Sequence, residues 1–422
     1  METGLERISQ LVRENPERKL QTLMHNVSVE TLRAAHQKQQ TGKAAGVDRV
    51  TKQEYERDLE ANLEDLIRRM RSFSYRPQPV RRTYIPKGDG RKRPLGIPAY
   101  EDKLVQGAMA EVLIAIYEPK FCDVSYGYRP GRSCHDAIRR LDGMLFRETN
   151  WVVDVDIKGF FDNVNHEWLM KFLENDIADK NFLRYIKRFL IAGIMEAGEY
   201  QETDQGVPQG GLISPVLANV YLHYAVDTWF ETQVKIRYEE YAGMIRYADD
   251  MVFCFGSERE ARHFYAMLKE RLAEFGLELS EEKSKIIPFH AGGTKPKERF
   301  DFLGFTFQWG KTYKGKWTVM RRTSKKKLKT KFQAVKLWLR ENRHQAIKVL
   351  VERLNLKLIG HYRYYGVTGN YRSLMVFYRY TIWQLRRSLR RRSQRDKTSW
   401  ERFQWILDSY PIAQPKIYVR FA

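Results

Sequence analysis

Two adjacent aspartates separate two apolar stretches in the sequence IRYADDMVFCF, at residues 245–255. The residues around them, such as Ile245 and Phe253, favour β-strands, so the pattern predicts a hairpin with Asp249 and Asp250 at its tip. Turns commonly contain Gly, Asn or Pro, and this tip has none of them. Two like charges beside a buried sheet repel each other. The pair is therefore either an ordinary solvated turn or a site for a hard divalent cation such as Mg²⁺, which prefers carboxylate oxygens.

A third carboxylate follows a separate predicted strand, in WVVDVDIKGFFD at residues 151–162. Asp156 ends the apolar run and is expected to face the neighbouring hairpin. Asp154 lies on the same face by strand parity and is the alternative, whereas Asp162 is expected to act locally as a cap. Three carboxylates on two adjacent strands are able to hold two metal ions about 4 Å apart, the arrangement used for in-line nucleotidyl transfer.

Nucleotidyl transfer also needs positive groups that hold a triphosphate. The predicted hairpin IPKGDGRKRPLGIP, at residues 85–98, supplies Lys87, Arg91, Lys92 and Arg93. Basic residues at a turn are commonly only solvated. This hairpin therefore supports nucleotidyl transfer only in combination with the carboxylates.

The net charge of +22 is concentrated near the C-terminal end, because residues 321–400 contain 23 Lys and Arg but only three acidic residues. A polyanion, above all a nucleic acid, is the partner that this charge predicts. Aromatic residues alternate with the arginines; aromatics stack on bases or pack a helical core, and arginines hold phosphates. The candidate nucleic-acid-binding residues in this segment are Arg363, Tyr364, Arg386, Arg387 and Arg390.

The 422 residues are enough for two or three domains. The patterns predict charged helices over 1–75, mixed strands and helices over 76–315, and basic helices over 316–422. Within the middle segment, ADKNFLRYIKRFLIAGIM (178–195) predicts a helix and LELSEEKSKII (277–287) a strand.

Features of targeting and redox chemistry are few. No apolar run approaches the roughly 18 residues that cross a bilayer, and the charged N-terminal sequence has no apolar core of a secretory signal. The three cysteines, Cys122, Cys134 and Cys254, form no CxxC pair and fit a reducing compartment. The expectation is a cytoplasmic, bacterial protein that does not bind a membrane.

Several blocks of the sequence resemble the signature blocks of group II intron-encoded reverse transcriptases, also called intron maturases. In the order of the argument they are YADD (247–250), VDVDIKGFFDNVNH (153–166), GVPQGGLISPVLANVYL (206–222), SYGYRPGRSCHDAI (125–138) and FLGF (302–305). The match runs from about residue 40 to 310. LIGHYRYYG (358–366) looks like the thumb and maturase region of the same family.

The resemblance implies a right-hand polymerase fold of the α+β class. It has fingers and a palm with an antiparallel sheet, followed by an all-helical thumb and maturase region. The implied boundaries are 1–75 for an N-terminal extension of the fingers, 76–315 for fingers and palm, and 316–422 for the thumb and maturase region. The segment KAAGVD resembles the part of that extension that contacts the template.

The resemblance also implies an activity, RNA-directed DNA synthesis, with roles for single residues. Asp156, Asp249 and Asp250 would bind two Mg²⁺ ions, with Mn²⁺ as a substitute. The implied nucleotide-binding residues are Lys87 and Arg93 on the triphosphate, Phe161 as the gate against a ribose 2′-hydroxyl, Gln209, and Ala248, which lies with Tyr247 under the primer end. The other implied sites are Lys283 or Lys285 as the general acid and Leu303, Gly304 and Phe305 as the primer grip.

The implied partners are an RNA template, a DNA primer, dNTPs and a structured intron RNA whose splicing the protein assists. The chain as given ends at Ala422 without a cluster of paired cysteines and histidines, so no cleavage of a target strand is expected. Two alternatives stay open: the same polymerase freed from an intron for host defence or repair, and an RNA-binding splicing cofactor without polymerase activity. The second predicts eroded carboxylates. An RNA-directed RNA polymerase is disfavoured by Phe161.

Overall fold

The computed structural model describes residues 4–86, 92–291, 298–392 and 399–421. These residues form two compact units. The first unit comprises Met1–Ala137 and Val152–Ile286, and the second comprises Ile138–Trp151 and Ile287–Ala422. Over the described ranges, every helix is too short or too polar to span a membrane.

Residues 4–71 contain α-helices, strands and helices are interspersed over residues 80–323, and helices dominate after residue 324. The helices are α1 Gly4–Glu14, α2 Val29–Lys38, α3 Lys52–Tyr55, α4 Leu59–Arg71, α5 Tyr100–Tyr117, α6 Cys134–Leu145, α7 His166–Asp176, α8 Lys180–Leu190, α9 Ser214–Leu222, α10 Glu258–Glu274, α11 Lys325–Asn342, α12 Ile347–Tyr365, α13 Tyr371–Leu389 and α14 Trp400–Ser409. The strands are β1 Val80–Pro86, β2 Lys92–Ile97, β3 Trp151–Val155, β4 Ile194–Glu196, β5 Glu199–Gln201, β6 Ala242–Tyr247, β7 Asp250–Phe255, β8 Lys285–Pro288, β9 Phe300–Phe302, β10 Phe305–Lys311 and β11 Trp317–Thr323.

A four-stranded sheet in the first unit has the order β2-β1-β4-β5. β1 and β2 form the predicted antiparallel hairpin, with Ile85 opposite Arg93. The helix predicted over 178–195 is wrong at its C-terminal end, because α8 stops at Leu190 and the next residues form β4. β4 pairs in parallel with β1 through Ile194 and Val80. Gly193 makes this switch possible, since its φ of +82° is a conformation that residues with a Cβ rarely adopt.

The central sheet of the first unit has the order β6-β7-β3-β8. The predicted hairpin is confirmed: β6 and β7 are antiparallel and nearly every residue in them is buried. The strand predicted over 277–287 is shorter than expected, because β8 begins only at Lys285. Before it, a tight turn forms in which the amides of Lys283 and Ser284 both donate to the carbonyl of Ser280. That turn satisfies locally the backbone groups that a strand would have paired.

A long helix follows the GVPQGG block and departs from regular geometry. α9 runs directly into two π-helical turns, His223–Asp227 and Phe230–Val234. Such turns are rare, and they are concentrated at functional sites. Every residue of α9 except Pro215 is buried, in keeping with its largely apolar sequence.

The second unit joins a three-stranded sheet, of order β11-β10-β9, to helices α11–α14. α11 and α13 pack together through the rings of Phe332 and Tyr380, whose centroids are 4.2 Å apart. The hydroxyl of Ser388 also donates to the carbonyl of Leu339 at 2.9 Å. The region predicted as helical from residue 316 differs at both ends, because β11 extends to Thr323 and the described residues after α14 form no helix. The domain boundaries at 75 and 315 stay a prediction.

Asp102 gives the first unit a pH-dependent stability. This buried carboxylate on α5 accepts hydrogen bonds from the hydroxyl of Tyr75 and from the amide of Gln78, 2.9 Å away. Burial raises the pKa of Asp102 to about 7. The folded chain therefore keeps a proton that the unfolded chain releases near pH 4, so folding stability declines as pH rises from about 4 to 7.

We expect Asp102→Asn to remove part of this pH dependence, because the amide stays neutral throughout. Melting temperatures at pH 5 and pH 8 measure the effect, which is on the order of a few kcal/mol. The matched control is Glu111→Gln, on the exposed face of the same helix. Equal slopes of melting temperature against pH in Asp102→Asn and the wild type would contradict the assignment.

Candidate active site

The two aspartates lie at a turn of only two residues. Tyr247 pairs with Asp250 across the hairpin, so Ala248 and Asp249 alone form the turn. Ala248 has a φ of +57°, which is unfavourable for a residue with a Cβ. Strain of this kind is concentrated at functional sites, where the surrounding structure enforces it. Asp249 is half-buried in the turn and Asp250 is exposed at the start of β7.

Asp156 lies near Asp249, as the sequence predicts, because it directly follows β3 and β3 neighbours β7 in the sheet. The pKa of Asp249 is raised, first by burial and then by the negative charge of Asp156. The guanidinium groups of Arg93 and Arg246 act in the opposite direction. The arrangement is thus a repelling carboxylate pair with cationic groups close by. Asp154 is half-buried within β3.

A lysine pairs with one of the carboxylates. The Nζ of Lys283 lies 2.5 Å from Oδ2 of Asp156, with the lysine side chain 51% exposed and the aspartate side chain 37% exposed. The Ser280 turn delivers this lysine, since the amide of Ser280 donates to the carbonyl of Asp156 at 2.8 Å. Lys285, the other predicted candidate, lies exposed at the start of β8. Of the two candidate lysines, Lys283 is therefore the one with a described ion pair to Asp156.

Arg93 and an unpredicted tyrosine complete the surroundings of Asp249. Tyr128 has a φ of +58° and is 55% exposed. Its pKa is raised by partial desolvation and by the charges of Asp249 and Asp250, while Arg93 lowers it. Tyr128 lies in the block SYGYRPGRS, but nothing in its spacing separates it from the other tyrosines there. Lys87 and Arg91 fall outside the described residues.

Phe161 and Gln209 lie on two segments that are joined by backbone hydrogen bonds. The amide of Val207 donates to the carbonyl of Phe161 at 2.7 Å. Val207 and Gln209 both lie in the loop before α9. The carbonyl of Gln209 in this loop accepts a hydrogen bond of 2.7 Å from the amide of Gly96 in β2. The loop before α9 thereby connects the segment that contains Phe161 to β2, the strand that carries Arg93. Both side chains are half-buried.

Described residues of the central sheet and its neighbours include no group of three or more His, Cys, Asp or Glu that is arranged to hold a metal ion. The chemistry of the carboxylates nevertheless fits a hard divalent cation. Asp156 and Asp249 supply only oxygen donors and repel each other, and the ammonium of Lys283 already compensates one of them. Binding by all three aspartates stays a prediction.

The predicted primer grip forms a tight turn in the second unit. Leu303 and Gly304 link β9 to β10 with φ values of +48° and +79°. The hydroxyl of Tyr364 donates to the carbonyl of Leu303 at 2.8 Å, and its ring stacks on Phe305 with centroids 5.9 Å apart. Tyr364, predicted to bind nucleic acid, therefore supports this turn.

The basic side chains of the second unit divide into two groups. The guanidinium of Arg386 lies 3.5 Å from the ring centroid of Trp400, so it helps to hold α14 against α13. Arg363, Arg387 and Arg390 are exposed.

Arg387 belongs to a basic groove of about 310 Å³ between α11 and α13. We call this feature the α11/α13 groove; its cationic lining residues are Lys336, Arg340, Arg343, Arg387 and Arg391. None of the described residues that line it is acidic. Four of these five cations were not predicted, although their spacing of three and four residues on each helix is a visible signal of one basic face.

Comparison with known proteins places this geometry in a family. Residues 85–307, more than half of the chain, match the model of "Reverse transcriptase (RNA-dependent DNA polymerase)". Group II intron-encoded protein LtrA of Lactococcus lactis subsp. cremoris is 44% identical over 181 residues, covering 43% of this chain and 30% of that protein. Protein YkfC of Escherichia coli (strain K12) is 42% identical over 182 residues, covering 42% and 48%. The putative COX1/OXI3 intron 1 protein of Saccharomyces cerevisiae is 31% identical, covering 50% and 31%.

The chain therefore spans between about a third and a half of the length of these relatives. Among solved structures, telomerase from Candida albicans aligns with a TM-score of 0.47 and 13% identity, over 85% of this chain and 65% of that chain, a likeness too weak to support a conclusion. The predicted resemblance to group II intron-encoded proteins and the α+β class are confirmed by the family match and the relatives. The chain belongs to the reverse transcriptase (RNA-dependent DNA polymerase) family.

Proposed function

We propose that this protein is an RNA-directed DNA polymerase that works with a group II intron, whose RNA it binds and whose splicing and mobility it assists. The observation that carries the polymerase is the Asp156–Asp249 pair beside Arg93, in a chain of the reverse transcriptase family. The intron role is supported by the names of the similar proteins, among them one encoded by a group II intron. The basic α11/α13 groove supports RNA as a partner.

The carboxylates of Asp156 and Asp249, together with Asp250, would hold Mg²⁺, with Mn²⁺ as a substitute. When bound, such ions activate a primer 3′-hydroxyl and neutralise the leaving pyrophosphate. The protein's own groups fix where that chemistry takes place. A two-residue turn sets the position of Asp249, and the end of β3 sets that of Asp156.

The other residues of the first unit would orient the incoming nucleotide. Arg93 provides positive charge beside Asp249 for a triphosphate. Phe161 would close the space at the sugar 2′ position. Gln209 lies on the loop before α9, which is hydrogen-bonded to the carbonyl of Phe161 through the amide of Val207. Lys283 is the general-acid candidate in contact with the site, and it would have to leave Asp156 to donate a proton to pyrophosphate.

We expect Lys283→Gln to tighten metal binding and slow synthesis at the same time. Its ammonium competes with a cation for Asp156, and an exposed ion pair of this kind is worth up to about 1 kcal/mol, or about fivefold in affinity. Loss of a general acid costs at least about 100-fold in rate. Mn²⁺ titration by electron paramagnetic resonance measures the first effect and single-turnover primer extension the second.

Lys285→Gln is the matched control for Lys283→Gln, since it removes the same charge two residues away. It should leave both measurements at the wild-type level. Weaker Mn²⁺ binding in Lys283→Gln would mean that the ammonium supports the carboxylates rather than competing with the metal.

Primer extension tests the polymerase itself. The purified protein would receive an RNA template, a DNA primer and Mg²⁺, with dNTPs compared against rNTPs. Extension by dNTPs alone is expected if Phe161 acts as the gate. Tight RNA binding without any product would favour the non-catalytic splicing cofactor.

A further inference from the structure

A fully buried arginine lies directly beneath the aspartate turn. Arg246, in β6, is 0% exposed. Its Nε and Nη2 donate to the two carboxylate oxygens of Asp227 at 2.7 and 2.5 Å. The side chain of Asp227 is also 0% exposed, so the two charges form a closed bidentate pair. Burying two charges costs free energy of desolvation unless their geometry and hydrogen bonds are good. This cost suggests that the pair has a function besides stabilising the fold.

The third nitrogen of Arg246 connects the pair to the turn. Its Nη1 donates to the carbonyl of Ala248 at 3.0 Å and to Oδ1 of Asn219 at 2.9 Å. Ala248 is the residue with positive φ, next to Asp249. A left-handed alanine persists only where its surroundings determine its conformation, and the guanidinium holds its carbonyl in place.

The opposite side of the turn is closed by the loop that contains Gly127. The backbone of Arg246 exchanges hydrogen bonds with this loop, from its amide to Val124 and from Tyr126 to its carbonyl. The side-chain amide of Asn219 donates to the carbonyl of Gly127 at 2.7 Å. A Cβ on Gly127 would lie 2.3 Å from the amide nitrogen of Ala248. Only glycine allows this approach, so the turn is enclosed between the loop and the guanidinium.

The first π-turn lets the long helix supply both partners of Arg246. Asn219 lies in α9 and Asp227 ends the π-turn His223–Asp227. In a regular α-helix, two residues eight positions apart lie about 80° apart around the axis. The wider π-turn between them brings both side chains to the same guanidinium, which explains this irregularity in an otherwise regular helix.

We propose that Arg246 is a positioning residue, which acts with Asp227 and Asn219 to hold the Ala248–Asp249 turn so that the Asp249 carboxylate stays beside Asp156. This role rests on the proposed polymerase function. Arg246 itself is buried and does not reach a substrate. Its effect is geometric: a shift of about 1 Å in a reacting group costs about 100-fold in rate.

The main test is the double variant Arg246→Met/Asp227→Leu. Apolar residues of similar volume commonly replace a buried ion pair without loss of stability. Because the carbonyl of Ala248 and Oδ1 of Asn219 lose their donor, we expect the variant to fold with a melting temperature several degrees below that of the wild type. The single-turnover rate of dNTP incorporation should fall about 100-fold, with dNTP affinity and RNA affinity within a few-fold. Hydrogen exchange in the peptide 245–251 should become faster, which reports on the turn without reference to activity.

Lys120→Met/Asp176→Leu is the matched control. Lys120 and Asp176 form another ion pair of the first unit with a buried carboxylate. Their side-chain hydrogen bonds also include the carbonyl of Pro16 and the hydroxyl of Tyr224, which lie outside the turn. This variant should keep the wild-type rate and the wild-type exchange in peptide 245–251. It therefore separates the removal of a buried charge pair from the loss of support for Asp249.

A folded Arg246→Met/Asp227→Leu variant with wild-type rate and exchange would overturn the proposal. If that variant does not fold, Arg246→Lys keeps the positive charge, but a single ammonium does not span Asp227 and Ala248 as a guanidinium does. Slower incorporation and faster exchange are then expected, and wild-type values for both would overturn the proposal. If the wild type itself makes no DNA, the polymerase function fails, and the exchange measurement still decides whether Arg246 holds the turn.

Discussion

Asp249→Asn should reduce DNA synthesis at least about 1,000-fold, because the change removes a negatively charged ligand where the metal ions and the developing charge of nucleotidyl transfer would be stabilised. The affinity for RNA should stay within a few-fold, since Asp249 lies in the first unit and carries no positive charge for phosphates. Primer extension and filter binding measure the two quantities. Asp156→Asn is expected to behave in the same way.

Asp154→Asn is the matched control, because Asp154 lies on β3 two residues before Asp156 and was the alternative carboxylate. We expect it to retain most of the activity. Equal losses in Asp154→Asn and Asp156→Asn would mean that the metal site is built differently.

Stability separates catalysis from structure in the same variants. Burial and the charge of Asp156 already raise the pKa of Asp249, so its ionised form is held in an unfavourable environment. Neutral asparagine relieves that repulsion, and the melting temperature of Asp249→Asn should equal or exceed that of the wild type. A melting temperature several degrees lower would show that Asp249 has a structural role.

The positions of Asp156 and Asp249 were predictable from the sequence because short apolar stretches of β-forming residues are a strong local signal. Apolar, β-forming stretches on both sides of the acidic pair identified the hairpin, and the four apolar residues among the five of Trp151–Val155 identified β3. Both aspartates are adjacent to these strands. Their distance in the fold then follows from sheet pairing, which has few solutions when two apolar strands must both be buried.

The supporting residues were not predictable in this way. A single arginine in IRYADD resembles any exposed strand residue, and its burial depends on Asp227 and Asn219, which are 19 and 27 positions away. β4 was missed for a similar reason, because its pairing with β1 spans more than 100 residues. Long-range pairing of polar groups leaves no periodic signal in one sequence.

The α11/α13 groove was predictable only in part. Lys336, Arg340 and Arg343 recur at helical spacing, so a basic face on α11 is visible in the sequence. The second helix that lines the groove is not visible, because its position depends on packing around Phe332 and on the Ser388 hydrogen bond. Only the structure assembles these cations into one groove.

Replacing the five cations of the α11/α13 groove by glutamine should weaken RNA binding and flatten its salt dependence. Each lost phosphate contact lowers the slope of log affinity against log salt by about 0.7 to 0.9, so five contacts predict a decrease of about 4. The accompanying affinity loss should be on the order of 1,000-fold at low salt. Synthesis at saturating RNA should be affected much less, since the substituted residues all lie in the second unit.

The control for net charge is a second set of five glutamine substitutions in the first unit. The exposed residues changed are Arg7, Arg13, Arg18, Arg57 and Arg71. A general attraction between a protein of charge +22 and RNA would lower the slope equally in both sets. A groove that contacts phosphates directly lowers it mainly in the α11/α13 set, because counterion release depends on the phosphates neutralised rather than on the total charge. Equal slopes in the two sets would therefore move the RNA-binding surface away from α11 and α13.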